Sequence, residues 1–313
     1  MPSTHEGYRL MAVHAHPDDE SSKGAATTAK YVDAGARVLI VTCTGGERGD
    51  ILNEKLLEDP HIQRDIAQVR RDEMTAAIAA LGCEHIWLGF VDSGLPEGDP
   101  LPPLPDGCFA LEPIDAPTEA LVRVIREFRP HVVTTYDELG SYPHPDHIMT
   151  HTVSMAAFQG AGQATAYPHA GPVWQPLKLY YGHGHTQDQR QAFHDALLAA
   201  GLESPYTPWV TGARKGVRRT ITTKVPCADY FVARDRALLA HTTQVDPEGY
   251  WFHMPRALEA QVWPTEEFEA ALSYVPVEPG ESDLFAGLGA PSQADSLAEK
   301  GGLQLAYDGR VAG

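Results

Sequence analysis

The feature that most constrains the fold is a regular alternation, across the first 181 residues, of short β-branched runs with helix-length segments. The runs at 9–14 (Arg-Leu-Met-Ala-Val-His), 37–43 (Arg-Val-Leu-Ile-Val-Thr-Cys), 85–89, 131–135 (His-Val-Val-Thr-Thr) and 177–181 read as strands. Segments 22–33, 62–81, 117–128 and 145–159 read as helices, the first two stopped by Gly35 and Gly82. Strands joined through helices of this length pair in parallel by right-handed crossovers. The expected fold is therefore α/β: a Rossmann-like, mostly parallel sheet with helices on both faces. Beyond about residue 161 the patterning weakens. The expected organisation is a catalytic domain over 1–185, a smaller mixed α/β region over 186–286 completing the cleft, and a flexible Gly/Ala/Ser-rich tail over 287–313. The Pro/Gly-rich stretch 92–117 is expected to be a long binding loop or lid.

Open parallel sheets bind ligands outside the carboxyl ends of their strands, where the strand order reverses. With the order 3-2-1-4-5, the first and fourth strands are neighbours. Each is followed by a motif rich in chemistry: His14-Ala15-His16-Pro17-Asp18-Asp19-Glu20 after the first, and Tyr142-Pro143-His144-Pro145-Asp146-His147 after the fourth. Either alone could be a turn or a helix cap. Together, topology brings them to one crevice.

Two imidazoles and a carboxylate supply three ligands to a borderline metal and leave one position open, as a catalytic site requires. A metal there acidifies water enough to make a nucleophile at neutral pH. A second carboxylate must stay off the metal to take the proton, which accounts for the adjacent Asp18 and Asp19. Both precede a helix, whose dipole favours the ionised form. Pro145 suits a first helical turn, so His144 and His147 share a face and only one need bind metal. The other is free to act as a protonated imidazole at the leaving group, oriented by Asp146, while Tyr142 offers a phenol to an oxyanion. His151, one turn past His147, reads as a packed or solvated histidine, and His14 as support or core. His183 and His185 are loop residues that could line the site. Thr44-Gly45-Gly46-Glu47-Arg48-Gly49 lacks the spacing of a phosphate loop and reads as a wall of the cleft.

Charge narrows the ligand class. With 24 basic and 42 acidic residues, the net charge of −18 disfavours nucleic acid and anionic lipid as partners. No apolar stretch reaches 18 residues and no basic start leads into an apolar run, so a cytoplasmic protein off the membrane is expected. Cys43, Cys83, Cys108 and Cys227 show neither metal nor disulfide spacing. No heptad repeat or other signal bears on the oligomeric state.

Ala15-His16-Pro17-Asp18-Asp19-Glu20 together with His144-Pro145-Asp146-His147 resembles the LmbE/PIG-L family of metal-dependent N-acetylglucosaminyl deacetylases and amidases. The resemblance covers about residues 8–185, and His241-Thr242-Thr243-Gln244-Val245 extends it. Glu20 to Thr27, Thr44 to Leu52 and Trp87 to Pro96 are similar to the amidases of the family that act on small-molecule thiol conjugates. The resemblance implies that His16, Asp19 and His147 hold zinc, with ferrous iron equally suited to these donors, and that Asp18 is the general base. It implies that His144 is the general acid or an electrostatic partner, with Asp146 and Tyr142 in support. Arg70, Asp92 and Glu47 fall to substrate binding, and Lys23 to selection of the thiol conjugate. The implied reaction is hydrolysis of the amide between an S-substituted cysteine and glucosaminyl-inositol, giving a mercapturic acid and the free amino sugar. The alternatives are deacetylation of N-acetylglucosaminyl-inositol, or cleavage of a thiol adduct in natural-product assembly.

Overall fold

The computed structural model describes residues 4–212 and 217–309. In chain order its elements are β1 (Arg9–His14), α1 (Asp19–Ser22), α2 (Ala25–Asp33), β2 (Arg37–Thr44), α3 (Pro60–Leu81), β3 (Glu84–Phe90), α4 (Asp115–Phe128), β4 (Val132–Thr135), α5 (Pro145–Gly160) and β5 (Lys178–His183). There follow α6 (Gln187–Ala199), α7 (Thr207–Val210), β6 (Thr223–Pro226), α8 (Phe231–Ala240), α9 (Arg256–Val262), β7 (Thr265–Ser273), α10 (Pro291–Ala298) and β8 (Tyr307–Asp308).

Local chemistry sets several boundaries. Asp59 caps α3 by accepting from the His61 N–H, Pro60 opens the helix, and Gly82 closes it in a left-handed conformation. Lys23 is extended and Gly24 left-handed, so the helix expected over 22–33 is two helices with a break between them. That break lets the chain turn sharply after the first motif.

The expected mostly parallel sheet is present, in the order β3-β2-β1-β4-β5-β7-β6, with β8 added on β7. Strands β1 to β5 are parallel, and β1 sits between β2 and β4. Five of the six residues of β1 are buried, as a central strand covered on both faces requires. Helices α2, α3 and α8 pack as one group and α4 with α5 as another, flanking the sheet. The main core runs from Leu10, Val13 and Val41 through Leu121, Ile125 and Phe158 to Trp174 and Leu272.

The chain after residue 186 does more than complete a cleft. Strand β7 pairs antiparallel with β5, and β6 antiparallel with β7, so both extend the same sheet. The stretch expected to be a loose tail carries α10 and β8. Ala294 and Ala298, one turn apart, are buried against the core, and β8 pairs with β7. Over 291–308 the tail expectation is corrected: its small residues, Ala and Ser, suit close packing as well as they suit disorder. Residues 310–313 of that stretch lie outside the described residues.

The junction of the two halves is polar and buried. Lys178 on β5 donates to Glu281 Oε2 at 2.9 Å and to the Ala286 carbonyl at 2.8 Å, and Tyr180 donates to the same carboxylate oxygen at 3.0 Å. Burial presses the Lys178 ammonium below its ordinary pKa, opposed by Glu281. Removing one partner of such a pair strands the other charge in a medium that cannot solvate it, which costs about 3–5 kcal/mol. Glu281→Ala is expected to lower the urea midpoint accordingly, and Lys178→Met in the same chain to restore part of the loss. Equal midpoints for Glu281→Ala and the unaltered protein would show that the pair carries no such weight.

Candidate metal centre

The centre lies where β1 and β4 end. Beyond β1 the Ala15 carbonyl accepts from the backbone N–H and the hydroxyl of Thr44, and its N–H donates to the Tyr136 hydroxyl at 2.8 Å. The chain is thereby clamped between β2 and β4 just as it reaches His16. Asp18 then takes a left-handed conformation (φ 107°), unusual for a residue with a side chain, and Asp19 opens α1. On the other side, His144 caps α5 by accepting the Asp146 N–H on Nδ1 at 3.1 Å, and Pro145 begins the helix as its sequence position suggests. His147 is one turn in, fully buried.

Three donor atoms converge. His147 Nε2 lies 3.3 Å from His16 Nδ1 and 3.4 Å from Asp19 Oδ2, and His16 Nδ1 lies 3.6 Å from Asp19 Oδ2. Ligands at about 2.0–2.2 Å from a tetrahedral zinc are separated by about 3.3–3.6 Å. The triangle therefore has the edge lengths of one face of such a site, and its donor set suits zinc and ferrous iron alike. A ring nitrogen of His144 also lies within 4.8 Å of nitrogens of His16 and His147.

The outer contacts of these groups orient them. His147 donates from Nδ1 to the Gly140 carbonyl at 2.9 Å, which leaves Nε2 as its free lone pair. Gly140 is left-handed (φ 68°), and a Cβ there would stand 2.6 Å from His147 Cβ, so only glycine fits. His16 turns Nε2 toward Asp146 Oδ2 at 3.1 Å and Asp92 Oδ1 at 3.5 Å, leaving Nδ1 to the triangle. Asp146 is held in turn by the N–H of Ser93 at 2.9 Å and by its hydroxyl. Against its burial, His16 is pushed well above its ordinary pKa by Asp146, Asp19 and Asp92. Asp146 touches His144 as well as His16, through different atoms. Its backbone N–H, not its carboxylate, orients His144, because Nδ1 of a capping histidine faces the helix end; the carboxylate backs His16.

Asp18 stands outside the triangle and faces the cavity. Desolvation and the adjacent Asp19 carboxylate raise it to about 6. Its strained backbone is held by Glu20, whose Oε2 accepts the Asp18 N–H at 3.0 Å while Oε1 accepts from His241 Nε2 at 2.7 Å. Burial opposes the charge on Glu20, but His241 beside it holds the carboxyl down at about 2. His144 is lowered to about 4 by burial and by the neighbouring His16 and His147.

A cavity of about 430 Å³ opens over the centre, lined by His16, Asp18, Asp19, Tyr142 and His144 and by Arg48, Asp50, Arg70, Asp92 and Gln244. Leu95, Pro96 and Pro102–Pro105 of the irregular 92–117 segment also line it. Of the residues expected to bind substrate, Arg70 and Asp92 line this cavity. The Thr44–Gly49 loop explains Arg70: a Cβ on Gly46 would meet its guanidinium at 2.4 Å, so the loop is glycine-lined to let that side chain through. Glu47 does not line it; it accepts the Asp92 N–H at 3.0 Å and so braces a wall residue. Lys23 donates to Asp19 Oδ1 at 2.6 Å, so its cation is engaged with the centre itself.

His14 is buried against Tyr136, and His151 shares its Nδ1 with the Tyr136 carbonyl at 3.0 Å; neither joins the triangle. His183 approaches Glu269 at 3.3 Å and His185 approaches the Tyr250 hydroxyl at 3.1 Å, both away from it. Tyr136, Ser93, Glu20 and His241 were not singled out from the sequence as parts of the centre. Tyr136 follows β4 directly, a position that topology alone marks.

Residues 11–158 match PIG-L, the GlcNAc-PI de-N-acetylase family. The chain is 60% identical over 284 residues to a mycothiol S-conjugate amidase of Streptomyces coelicolor, covering 90% of this chain and 97% of that one. It is 37% identical over 306 residues to a 1D-myo-inositol 2-acetamido-2-deoxy-alpha-D-glucopyranoside deacetylase of Thermobispora bispora, covering 90% and 99%. The fold is similar to that of N,N'-diacetylchitobiose deacetylase from Pyrococcus horikoshii, with a TM-score of 0.57 at 17% identity over 84% of this chain and 83% of that one. Two relatives matched over nearly their whole length at 60% and 37% identity, together with the family match, place this chain in the PIG-L/LmbE family.

Proposed function

We propose that this protein is a metal-dependent amidase that hydrolyses the amide of mycothiol S-conjugates, with His16, Asp19 and His147 as the metal ligands and Asp18 as the base. The observation that carries the reading is the 3.3, 3.4 and 3.6 Å triangle with one carboxylate left out of it and facing the cavity. The higher identity to the amidase than to the deacetylase supports the choice between those two reactions. The four buried or half-buried free cysteines support a reducing, cytoplasmic setting.

A zinc or ferrous ion supplies a Lewis acid for the amide oxygen and acidifies the attacking water. Asp18 takes the water's proton on its carboxylate as the O–C bond forms. The same proton passes to the amide nitrogen as the C–N bond breaks, and the acid's remaining proton is then taken up by the released amine, leaving a carboxylate and an ammonium. Asp18 is fitted to both transfers because burial and Asp19 bring it to about 6, so the carboxyl can take up and release a proton near neutral pH. His144 is neutral in this setting, and a cation beside it would lower it further. Its Nδ1 accepts the Asp146 N–H, so its proton sits on Nε2 and is available to a developing oxyanion. Of the two roles expected for His144, general acid or electrostatic partner, this reading takes the second: a neutral hydrogen-bond donor. Tyr142, 47% exposed at the mouth, adds a second donor. Lys23 balances Asp19, and Arg70, Asp92 and Gln244 offer the polar contacts that an inositol-bearing amino sugar needs.

Asp18→Ala is expected to retain the metal and lose on the order of 10²–10⁴ in kcat, whereas His147→Ala loses the metal; elemental analysis of both variants checks the assignment. A metal-free Asp18→Ala protein would exchange the roles of Asp18 and Asp19. His144→Ala should lower kcat by about 10²–10³ with little change in KM, as loss of one oxyanion donor does. Comparing turnover of a mycothiol S-conjugate with that of the acetylated amino sugar tests the reaction itself. A kcat/KM that favours the acetylated sugar would make the protein a deacetylase.

A further inference from the structure

The segment just after α8 touches the loop that carries Asp18, and it does so through one side chain. Helix α8 lies close against α2 and α3 because Ala25, Ala29, Ala77 and Ala237 meet where the three pack. The helix ends at Ala240, and His241 leaves it with non-helical torsions (φ −84°, ψ 64°). The His241 carbonyl accepts the N–H groups of Gln244 and Val245, both at 2.9 Å, which closes a turn. Glu73 of α3 fixes that turn, accepting the Thr243 N–H and the Thr242 hydroxyl at 2.7 Å and the Thr243 hydroxyl at 2.8 Å. The Thr243 carbonyl in turn accepts the N–H of the cavity-lining Leu52 at 2.8 Å.

The His241 ring therefore has little freedom, and it is wholly buried. Nε2 donates to Glu20 Oε1 at 2.7 Å, while Nδ1 is buried with no partner in the protein. The ring is held for a single contact. Glu20 is buried as well, and its other oxygen accepts the Asp18 N–H at 3.0 Å. That N–H belongs to a residue at φ 107°, a conformation that a side-chain-bearing residue keeps only when its surroundings impose it.

We infer that His241 and Glu20 are positioning residues for Asp18: the C-terminal third of the chain, through one imidazole, fixes the backbone that carries the base. The inference rests on the reading of Asp18 as the base and adds what holds it in place. An ionised carboxylate out of reach of water keeps its orientation only while its oxygens are matched. With the imidazole gone, Glu20 Oε1 is left to the Ser21 hydroxyl. The carboxylate then turns toward other donors or draws in water, and the Asp18 N–H loses its acceptor. The left-handed backbone relaxes, and the carboxylate that faces the cavity moves with it. Rate is steeply sensitive to such a shift, since about 1 Å of misplacement can cost 10²-fold. The metal ligands do not hang on these contacts: Asp19 Oδ2 accepts from Tyr136 and Oδ1 from Lys23. Loss of His241 thus reaches the base and spares the triangle.

The test turns on reach. In His241→Gln the amide nitrogen falls where Nε2 was and can still donate to Glu20. In His241→Asn it falls one bond short, at the place of Nδ1. Both are assayed as metal-loaded, full-length protein on the better of the two substrates compared above. His241→Asn is expected to lose about 10–100-fold in kcat, as the loss of an outer contact does, with KM little changed and a full complement of metal. His241→Gln is expected to keep most of the activity. Added to Asp18→Ala, His241→Asn should cost nothing further, because it acts through the residue already removed. A crystal structure of His241→Asn should show Asp18 out of the left-handed region. If His241→Asn fails to fold, Glu20→Asp, which withdraws the carboxylate by one carbon and leaves His241 whole, carries the same test. Equal kcat in the Gln, Asn and unaltered proteins, a loss matched by loss of metal, or a further loss on top of Asp18→Ala would overturn the inference. Failure of the base looks different. An Asp18→Ala protein as active as the unaltered one, with Asp18 displaced in the His241→Asn crystal, would uphold the positioning and remove the base. An inactive Asp18→Ala protein, with Asp18 unmoved in that crystal, would keep the base and remove the positioning.

Discussion

The carboxylate of Asp19 is the point on which the centre depends. It is almost wholly buried, and an ionised carboxylate is tolerated there only if its oxygens are matched. Four groups from three stretches do this: the His16 N–H at 3.1 Å and the Lys23 ammonium at 2.6 Å from its own segment, the Tyr136 hydroxyl at 2.6 Å and the His147 ring at 3.4 Å. Against its burial, Lys23 and His147 hold the carboxyl well below the usual range. The same contacts tie the end of β1 to the residue that follows β4 and to the first turn of α5. A single charge thus sets the relative position of the two motifs. Everything that faces the cavity, Asp18 and His144 included, inherits its place from that arrangement.

What could be read from the sequence was what is local or follows from strand order. The five parallel strands and the convergence of two motifs needed only periodicity and the rule that ligands gather where sheet order reverses. The residues missed are those whose role arises from long-range contact. Asp146 was assigned to the neighbouring His144, yet its carboxylate reaches His16, which is 130 positions away in sequence. Glu20 and His241, 221 positions apart, carry no pattern that pairs them.

Strand β7 shows the competing forces plainly. Its sequence, Thr-Glu-Glu-Phe-Glu-Ala-Ala-Leu-Ser, is rich in good helix formers, and intrinsic preference alone would not make it a strand. It is one because it fills the slot between β5 and β6, where Phe268, Ala270, Ala271 and Leu272 are buried. Tertiary packing outweighs a preference of a few tenths of a kcal/mol per residue. The same reasoning applies to α10, whose small residues gave no periodic signal strong enough to separate packing from disorder.

The placement of β7 also orders events during synthesis. All three groups of the triangle, and all five parallel strands, belong to the first 183 residues. They can come together while the remainder is still emerging, since chains fold from the amino end at about 5–20 residues per second. Until β7 is made, β5 is the rim of the sheet, with the main-chain groups of Lys178-Leu179-Tyr180-Tyr181 unpaired on one side and a buried-type apolar surface beside them. An uncovered rim of that kind is a template for pairing with another chain. A chain folded only that far would have its β5 border uncovered. That state ends only when β7, from far along the polypeptide, covers the border.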